Sequence, residues 1–223
     1  MPQLINKKIF LYFFLFILFT TFNNKNMTLE GFTDIKTIKV TGLGTENNNK
    51  LLKGLEKYKF ENLLIIDKHE ISKLVERNNL IEKYTIFKRY PSTLELNAKK
   101  TNFLAQISKD NSNYYLGSNG KLIIAEKKYE NIPFIFGKLD TKEFLNFFEI
   151  MNNSKFNYNM IKNLFYFPSG RWDIETHNGI IIKLPKKNLE NSINLSFLML
   201  KDDNFSKVKM IDIRQQNQVI TNE

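Results

Sequence analysis

From Ile9 to Phe22 the chain carries no charge and is apolar around its whole circumference, mostly Phe, Leu and Ile, with Lys7 and Lys8 just before it. Such a segment must lie in lipid or be removed. The uncharged stretch continues to Asn24, sixteen residues in all. At 1.5 Å per residue that is a little short of the roughly 30 Å hydrocarbon core, so a signal-peptide h-region is the rival reading. Against cleavage, no small-x-small site follows, since Thr20, Thr21, Phe22 and Asn23 close the run. The anchor reading makes 9–24 a single transmembrane helix, keeps 1–8 cytoplasmic because Lys7 and Lys8 stay inside, and exports everything after about Asn24, beginning with a linker at 25–33.

Residues 34–101 predict strand, helix, helix, strand, strand. Ile38 and Val40 alternate in a strand over Ile35 to Val40, stopped by a turn at Gly42 and Gly44. Leu51, Leu52, Leu55 and Tyr58 recur on one helical face. Asp67 suits a helix N-cap, with Glu70 three residues later as in a capping box and Ile71, Leu74 and Val75 as the apolar stripe. Tyr84 to Arg89 reads as a strand ended by Pro91, and Leu94, Leu96 and Ala98 alternate in the next. The pattern is complete before Phe103 opens a new strand, which divides the exported part into 34–101 and 102–223.

The second part, 102–223, is strand-rich with two helices. Tyr114 to Leu116 and Lys121 to Ala125 flank Ser118-Asn119-Gly120, a hairpin signal because Asn-Gly accepts positive φ. Phe144, Phe147, Phe148 and Met151 fall at helical spacing and predict an amphipathic helix over Lys142 to Asn152. A second hairpin runs from Arg171 to Leu184 through His177-Asn178-Gly179, and Leu189, Ile193, Phe197 and Leu200 mark a second helix. Val208 to Arg214 should pair within the sheet, with Gln215 to Thr221 continuing as a polar strand. The fold class is therefore α+β.

The formal charge of +10 suggests nucleic acid, yet Lys is scattered and no run exceeds two basic residues, so we expect no nucleic-acid partner. With no Cys, thiolate chemistry, disulfides and Cys-based zinc sites are excluded, and His69 and His177 stand alone, without metal-ligand spacing. Phosphate-binding glycine loops and nucleophile elbows are absent from the sequence. Asp202-Asp203 are adjacent and point apart, which does not suit paired acid-base work. No catalytic, metal, cofactor or small-molecule site is expected.

Val40-Thr41-Gly42 and Arg89-Tyr90-Pro91-Ser92-Thr93-Leu94-Glu95-Leu96, in this order behind one anchor, resemble the POTRA domain of FtsQ/DivIB proteins. Lys99-Lys100 departs from that family, where an acidic residue is expected. Ile132-Pro133-Phe134-Ile135-Phe136-Gly137, Gly170-Arg171-Trp172-Asp173 with Asn178-Gly179 and Leu184-Pro185, and Ile211-Asp212-Ile213-Arg214 resemble the family's β-domain. The resemblance spans nearly the whole chain.

It implies a bacterial divisome scaffold at the inner membrane, with a periplasmic ectodomain that links early division proteins to septal peptidoglycan synthesis and works without enzymatic activity or cofactor. In the family the last strands hold a FtsB-like partner, itself paired with FtsL, by strand addition to an exposed edge. That assigns partner binding to Arg214, Gln215, Gln216, Asn217, Gln218, Val219, Ile220 and Thr221. Arg214 matches the Arg of the family's Asp-Leu-Arg strand; the plain alternative is an exposed strand-end charge. Gln215 and Gln216 stand where family members often carry aromatic residues. A POTRA-containing outer-membrane assembly factor would instead predict tandem POTRA units or a barrel after Lys100, and a membrane-tethered periplasmic hydrolase would predict turnover of cell-wall fragments.

Overall fold

The computed structural model describes residues 7–21, 33–124, 128–138, 140–205, 207–215 and 218–222. Helix α1 spans Lys7–Thr21, and its side chains from Lys8 to Phe19 are all exposed. The expected 9–24 span coincides with this helix as far as Thr21; Phe22 to Asn24 lie outside the described residues. Among the described residues no helix is long and apolar enough to cross a membrane.

The first sheet unit contains β1 (Thr37–Thr41), α2 (Thr45–Leu55), α3 (Lys68–Glu76), β2 (Ile81–Arg89) and β3 (Thr93–Lys100), in the expected order. Strand β3 is central, parallel to β1 and antiparallel to β2. Its alternation buries Leu94 and Leu96 with Leu51 and Leu55 of α2 and Ile71 and Val75 of α3. A 3-10 turn at Glu56–Tyr58 prolongs α2 and brings Tyr58 into the same core. Gly42 leaves β1 with φ 101°, and a Cβ there would meet the Ala98 carbonyl oxygen at 1.6 Å. Only bare backbone passes over β3 at that point.

Two details differ from expectation. Asp67 caps α3 by accepting from the His69 N–H at 2.8 Å, but Glu70 turns to Lys73 at 3.2 Å, where i,i+3 spacing brings an ammonium within reach. Strand β2 begins at Ile81, three residues before Tyr84, because a register shift between Ile81 and Lys83 breaks the period-two pattern that marks a strand in sequence.

The second unit has β4 (Phe103–Lys109), β5 (Ser112–Gly117), β6 (Leu122–Ile124), β7 (Phe134–Phe136), α4 (Thr141–Asn153), β8 (Ile161–Tyr166), β9 (Trp172–Thr176), β10 (Ile181–Lys183), α5 (Leu189–Lys201), β11 (Met210–Asp212) and β12 (Ile220–Asn222). They form a nine-stranded sheet in the order β12-β11-β10-β9-β8-β7-β4-β5-β6. Antiparallel neighbours are joined by tight turns: Asp110 and Asn111, both at positive φ, link β4 to β5, while Gly120 and Gly179 serve the two expected hairpins. The parallel pairs β7–β8 and β10–β11 need crossovers, and α4 and α5 supply them.

Helix α4 buries Phe144, Phe147 and Met151 as the spacing predicts, and the Phe147 ring stacks on Trp172 of β9 at 4.5 Å between centroids. Helix α5 departs from its predicted stripe. Its buried residues are Ser192, Ile193, Ser196 and Met199, whereas Leu189, Phe197 and Leu200 are half-buried and Leu195 and Leu198 are exposed. Ser192 and Ser196 occupy the packed face, and their hydroxyls are satisfied internally by the carbonyls of Asn188 and Ile193.

The C-terminal end also differs. Regular pairing in β11 covers only Met210–Asp212, and Gln215 to Thr221 do not continue that strand. The chain reverses after Arg214 and returns as β12, antiparallel to β11, with Asp212 opposite Ile220 and Met210 opposite Asn222. The Arg214 N–H donates to the Asp212 carboxylate at 3.1 Å, which bends the backbone, and Val219 packs onto the second core on the way back.

A candidate partner-binding edge

The sheet ends on β12, whose three residues are all exposed. At the opposite margin the first unit leans on β6, since the Leu122 carbonyl accepts from the Asn79 amide at 2.8 Å. Beyond β11, the backbone donors and acceptors on the outer side of β12 can pair with another extended chain.

Behind this edge runs a rung of charges. Asp173 of β9, Lys183 of β10 and Asp212 of β11 are direct cross-strand neighbours, and Ile220 of β12 continues the row. Trp172, Ile174, Ile182, Ile211 and Ile213 face the core under the helices, so alternation puts the charged row on the other face. An arginine two residues from each aspartate covers it. Arg171 Nε donates to Asp173 at 3.2 Å and stacks over Phe167, while Arg214 Nε donates to both carboxylate oxygens of Asp212 at 2.8 and 3.0 Å.

The two buried carboxylates respond oppositely to this setting. The Arg214 guanidinium holds Asp212 below the usual carboxylate range, outweighing the effect of burial, and the Asp212 carboxylate in turn raises the pKa of Arg214. Burial pushes Asp173 above that range, and the attraction of Arg171, Arg214 and Lys183 only partly offsets it. Beside the rung, between the sheet end and the start of α5, lies a groove of ≈ 860 Å³ lined by Arg171, Lys186, Lys187, Arg214, Gln215 and Val219 among others. Its cationic rim suits an acidic segment.

The structure brings most of the expected site residues together. Arg214 lies just after β11 with its guanidinium engaged by Asp212, Gln215 and Gln218 line the groove, Val219 packs on the core, and Ile220 and Thr221 form the edge itself. Gln216 and Asn217 lie outside the described residues. Sequence reasoning missed Asp173, Lys183, Lys186 and Lys187 as part of this surface. Arg171-x-Asp173 and Asp212-x-Arg214 carry a legible signal, because residues two apart share a strand face. Lys183 carries none, since only the sheet order sets it between the two aspartates.

Other residues singled out in the sequence take local structural roles. The Asp202 carboxylate accepts from the Asn204 N–H at 3.0 Å in a turn, and His177 donates its backbone N–H to the Met160 carbonyl. Among the described residues no group of three or more His, Asp or Glu side chains is placed to hold a metal ion.

Two family models match the chain. One, described as POTRA domain, FtsQ-type, covers residues 33–99, and the other, described as Cell division protein FtsQ/DivIB, C-terminal, covers residues 105–214. A curated relative, cell division protein FtsQ of Rhizobium meliloti (strain 1021), is 21% identical over 177 residues, which cover 78% of this chain and 57% of the relative. The alignment thus spans little more than half of that protein's length. A solved structure, the major extracytoplasmic domain of the trans isomer of the division protein DivIB from Geobacillus stearothermophilus, matches with a TM-score of 0.34 and 12% identity over 43% of this chain and 87% of that one.

Proposed function

Because this chain belongs to the FtsQ/DivIB family of bacterial cell division proteins, we propose that it is a divisome scaffold that acts by binding. In this reading it links early division proteins to the septal peptidoglycan synthesis complex and catalyses nothing itself. Helix α1 is the anchor in the cytoplasmic membrane, with Lys7 and Lys8 on the cytoplasmic side and both sheet units in the periplasm at the division site. An apolar helix exposed on every side supports that assignment, because water is a poor environment for it. At 15 residues it spans about 22 Å, and snorkelling of the flanking lysines or local thinning of the bilayer makes up the difference.

The partner is a FtsB-like protein, itself paired with a FtsL-like one, which adds a strand to β12. One observation carries this proposal: the nine-stranded sheet terminates in a short, exposed strand at its C-terminal margin. Backbone pairing supplies affinity, and the cationic groove with Arg214 at its rim favours a partner bearing carboxylates.

Truncation at Arg214 does not test this cleanly, because removing β12 bares β11 and merely moves the edge inward. Proline at two successive positions does. Neighbouring amides in a strand point to opposite edges, so Ile220→Pro and Thr221→Pro between them delete one donor facing β11 and one facing outward. Affinity for the FtsB-like partner should fall at least tenfold in the outward-facing variant with the melting temperature unchanged, since about 1.4 kcal/mol of lost hydrogen bonding is a factor of ten. Full affinity in both variants would sink the edge mechanism.

A further inference from the structure

The loop that follows the 3-10 turn, Phe60 to Ile66, places three large apolar side chains in solvent: Phe60 is 78% exposed, Leu64 54% and Ile65 83%. Their exposure is built in. Leu63 and Ile66 plug the first core, the Ile66 N–H donates to the Asn62 carbonyl, and the Asn62 side chain accepts from the Leu64 N–H. Lys88 reaches in from β2 and donates to the carbonyls of both Leu64 and Ile66, at 3.0 and 2.9 Å. Phe60 itself sits at φ 69°, a left-handed conformation that disfavours a bulky side chain. A rigid loop therefore presents its apolar residues outward rather than folding them away.

The position of the loop identifies what covers it. Helix α1 ends at Thr21, and Thr33 is already hydrogen-bonded to this same loop through its carbonyl, which accepts from the Leu63 N–H at 2.8 Å. The neighbouring backbone is tied in too, with the Phe60 N–H donating to Ile35 and the Ile35 N–H to Glu61. The eleven residues between Thr21 and Thr33 reach at most about 40 Å even fully extended. Among the described residues, the first ones after α1, Thr33 to Ile35, are thus bonded to this loop.

We infer that Phe60, Leu64 and Ile65 form a second membrane contact, inserted into the boundary between headgroups and acyl chains beside the anchor. The inference rests on the reading of α1 as a membrane anchor. Charge does not drive the contact: between Glu56 and Glu70 three lysines face four acidic residues, and Lys59 pairs with Glu56. Insertion is apolar, so neutral phosphatidylcholine suffices and salt has little effect. Attachment at two points fixes the orientation of the first unit, where an anchor alone leaves it free to turn.

The chain has no cysteine, which allows single labels. The whole chain in phosphatidylcholine nanodiscs would carry an environment-sensitive dye at Phe14→Cys in the anchor, Ile65→Cys in the loop, or Ser112→Cys at the exposed start of β5. Nitroxide-bearing lipids should quench the dye at 14 and, several-fold more than at 112, the dye at 65, with no loss in high salt. Phe60→Ser combined with Leu64→Ser should return quenching at 65 to the level seen at 112; both residues are exposed, so the fold is not at stake. Quenching at 14 with none at 65 overturns the loop contact and leaves the anchor reading intact. Shielding of 65 from aqueous iodide without lipid quenching means a protein covers the loop, and also overturns it. No quenching at 14 overturns the anchor reading and the inference with it.

Discussion

Asp212 and Asp173 occupy equivalent places on β11 and β9, each with an arginine two residues away, yet their protonation equilibria move apart. Asp212 is depressed by Arg214, so its contribution to stability is present above the ordinary carboxylate pKa and is lost as pH falls through the lower folded value. Asp173 is raised by burial, so its charge costs stability at neutral pH and that cost is relieved as pH falls through the raised value. Asp212→Asn should therefore destabilise the protein at pH 7 by about 1–3 kcal/mol, the scale of hydrogen bonds to a charged group, and the deficit should shrink towards strongly acid pH. Asp173→Asn should cost less at pH 7. Melting temperatures of the two variants across pH check this, and identical pH profiles would contradict it. In the sequence Arg214 is singled out by its match to the family's Asp-Leu-Arg strand, as a contact for an acidic residue of a partner. The carboxylate it engages lies two residues upstream on the same strand face, where the i,i+2 spacing was available to be read. The Lys183 between the two aspartates was not available, because β9, β10 and β11 become neighbours only through a hairpin and a helical crossover.

Elements with strong, uninterrupted periods were legible, and those whose burial depends on a partner's shape were not. Helix α4 presents Phe144, Phe147 and Met151 on one face and is buried along that face. Helix α5 offers more apolar residues than its packed face takes up, and Ser192 and Ser196 are buried there in place of Leu195 and Leu198. Hydrophobicity alone cannot anticipate that choice. Ser196→Leu is expected to cost about 1–3 kcal/mol through overpacking, while Leu198→Ser should stay within roughly 0.5 kcal/mol, as surface substitutions do. Chemical denaturation of the two variants would read the difference, and the reverse ranking would restore the simple leucine stripe. The return of β12 was hidden for a different reason. Its polar residues have no period to read, and the reversal depends on the side chain of Asp212 meeting the backbone of Arg214.

At the scale of the whole molecule, two hydrophobic cores are joined by Thr101 and Asn102 alone between β3 and β4, and a polar bridge ties them laterally. Asn119 is its centre. The Asn-Gly pair was legible as a hairpin turn, but its side chain does more than turn the chain. The amide nitrogen donates to the carbonyls of Asn79 and Ile81 in the first unit at 2.9 and 3.0 Å, while its oxygen accepts from the Lys121 N–H within the hairpin. Ser118 donates to Glu82, and Lys121 reaches the Glu76 carbonyl at 2.8 Å. Each of these bonds adds about 0.5–1.5 kcal/mol net, so those of Asn119 across the junction add about 1–3 kcal/mol. That is enough to decide whether two units of ordinary marginal stability unfold together or apart. Asn119→Ala removes the two central bonds of the bridge and leaves both cores untouched. We expect one calorimetric transition in the parent protein and two in the variant. Hydrogen exchange should quicken first at β6 and at the start of β2, where the bridge lands. A variant that still melts in a single unshifted transition would mean that the two-residue connection and the remaining bonds of Asn79, Ser118 and Lys121, and not Asn119, couple the units.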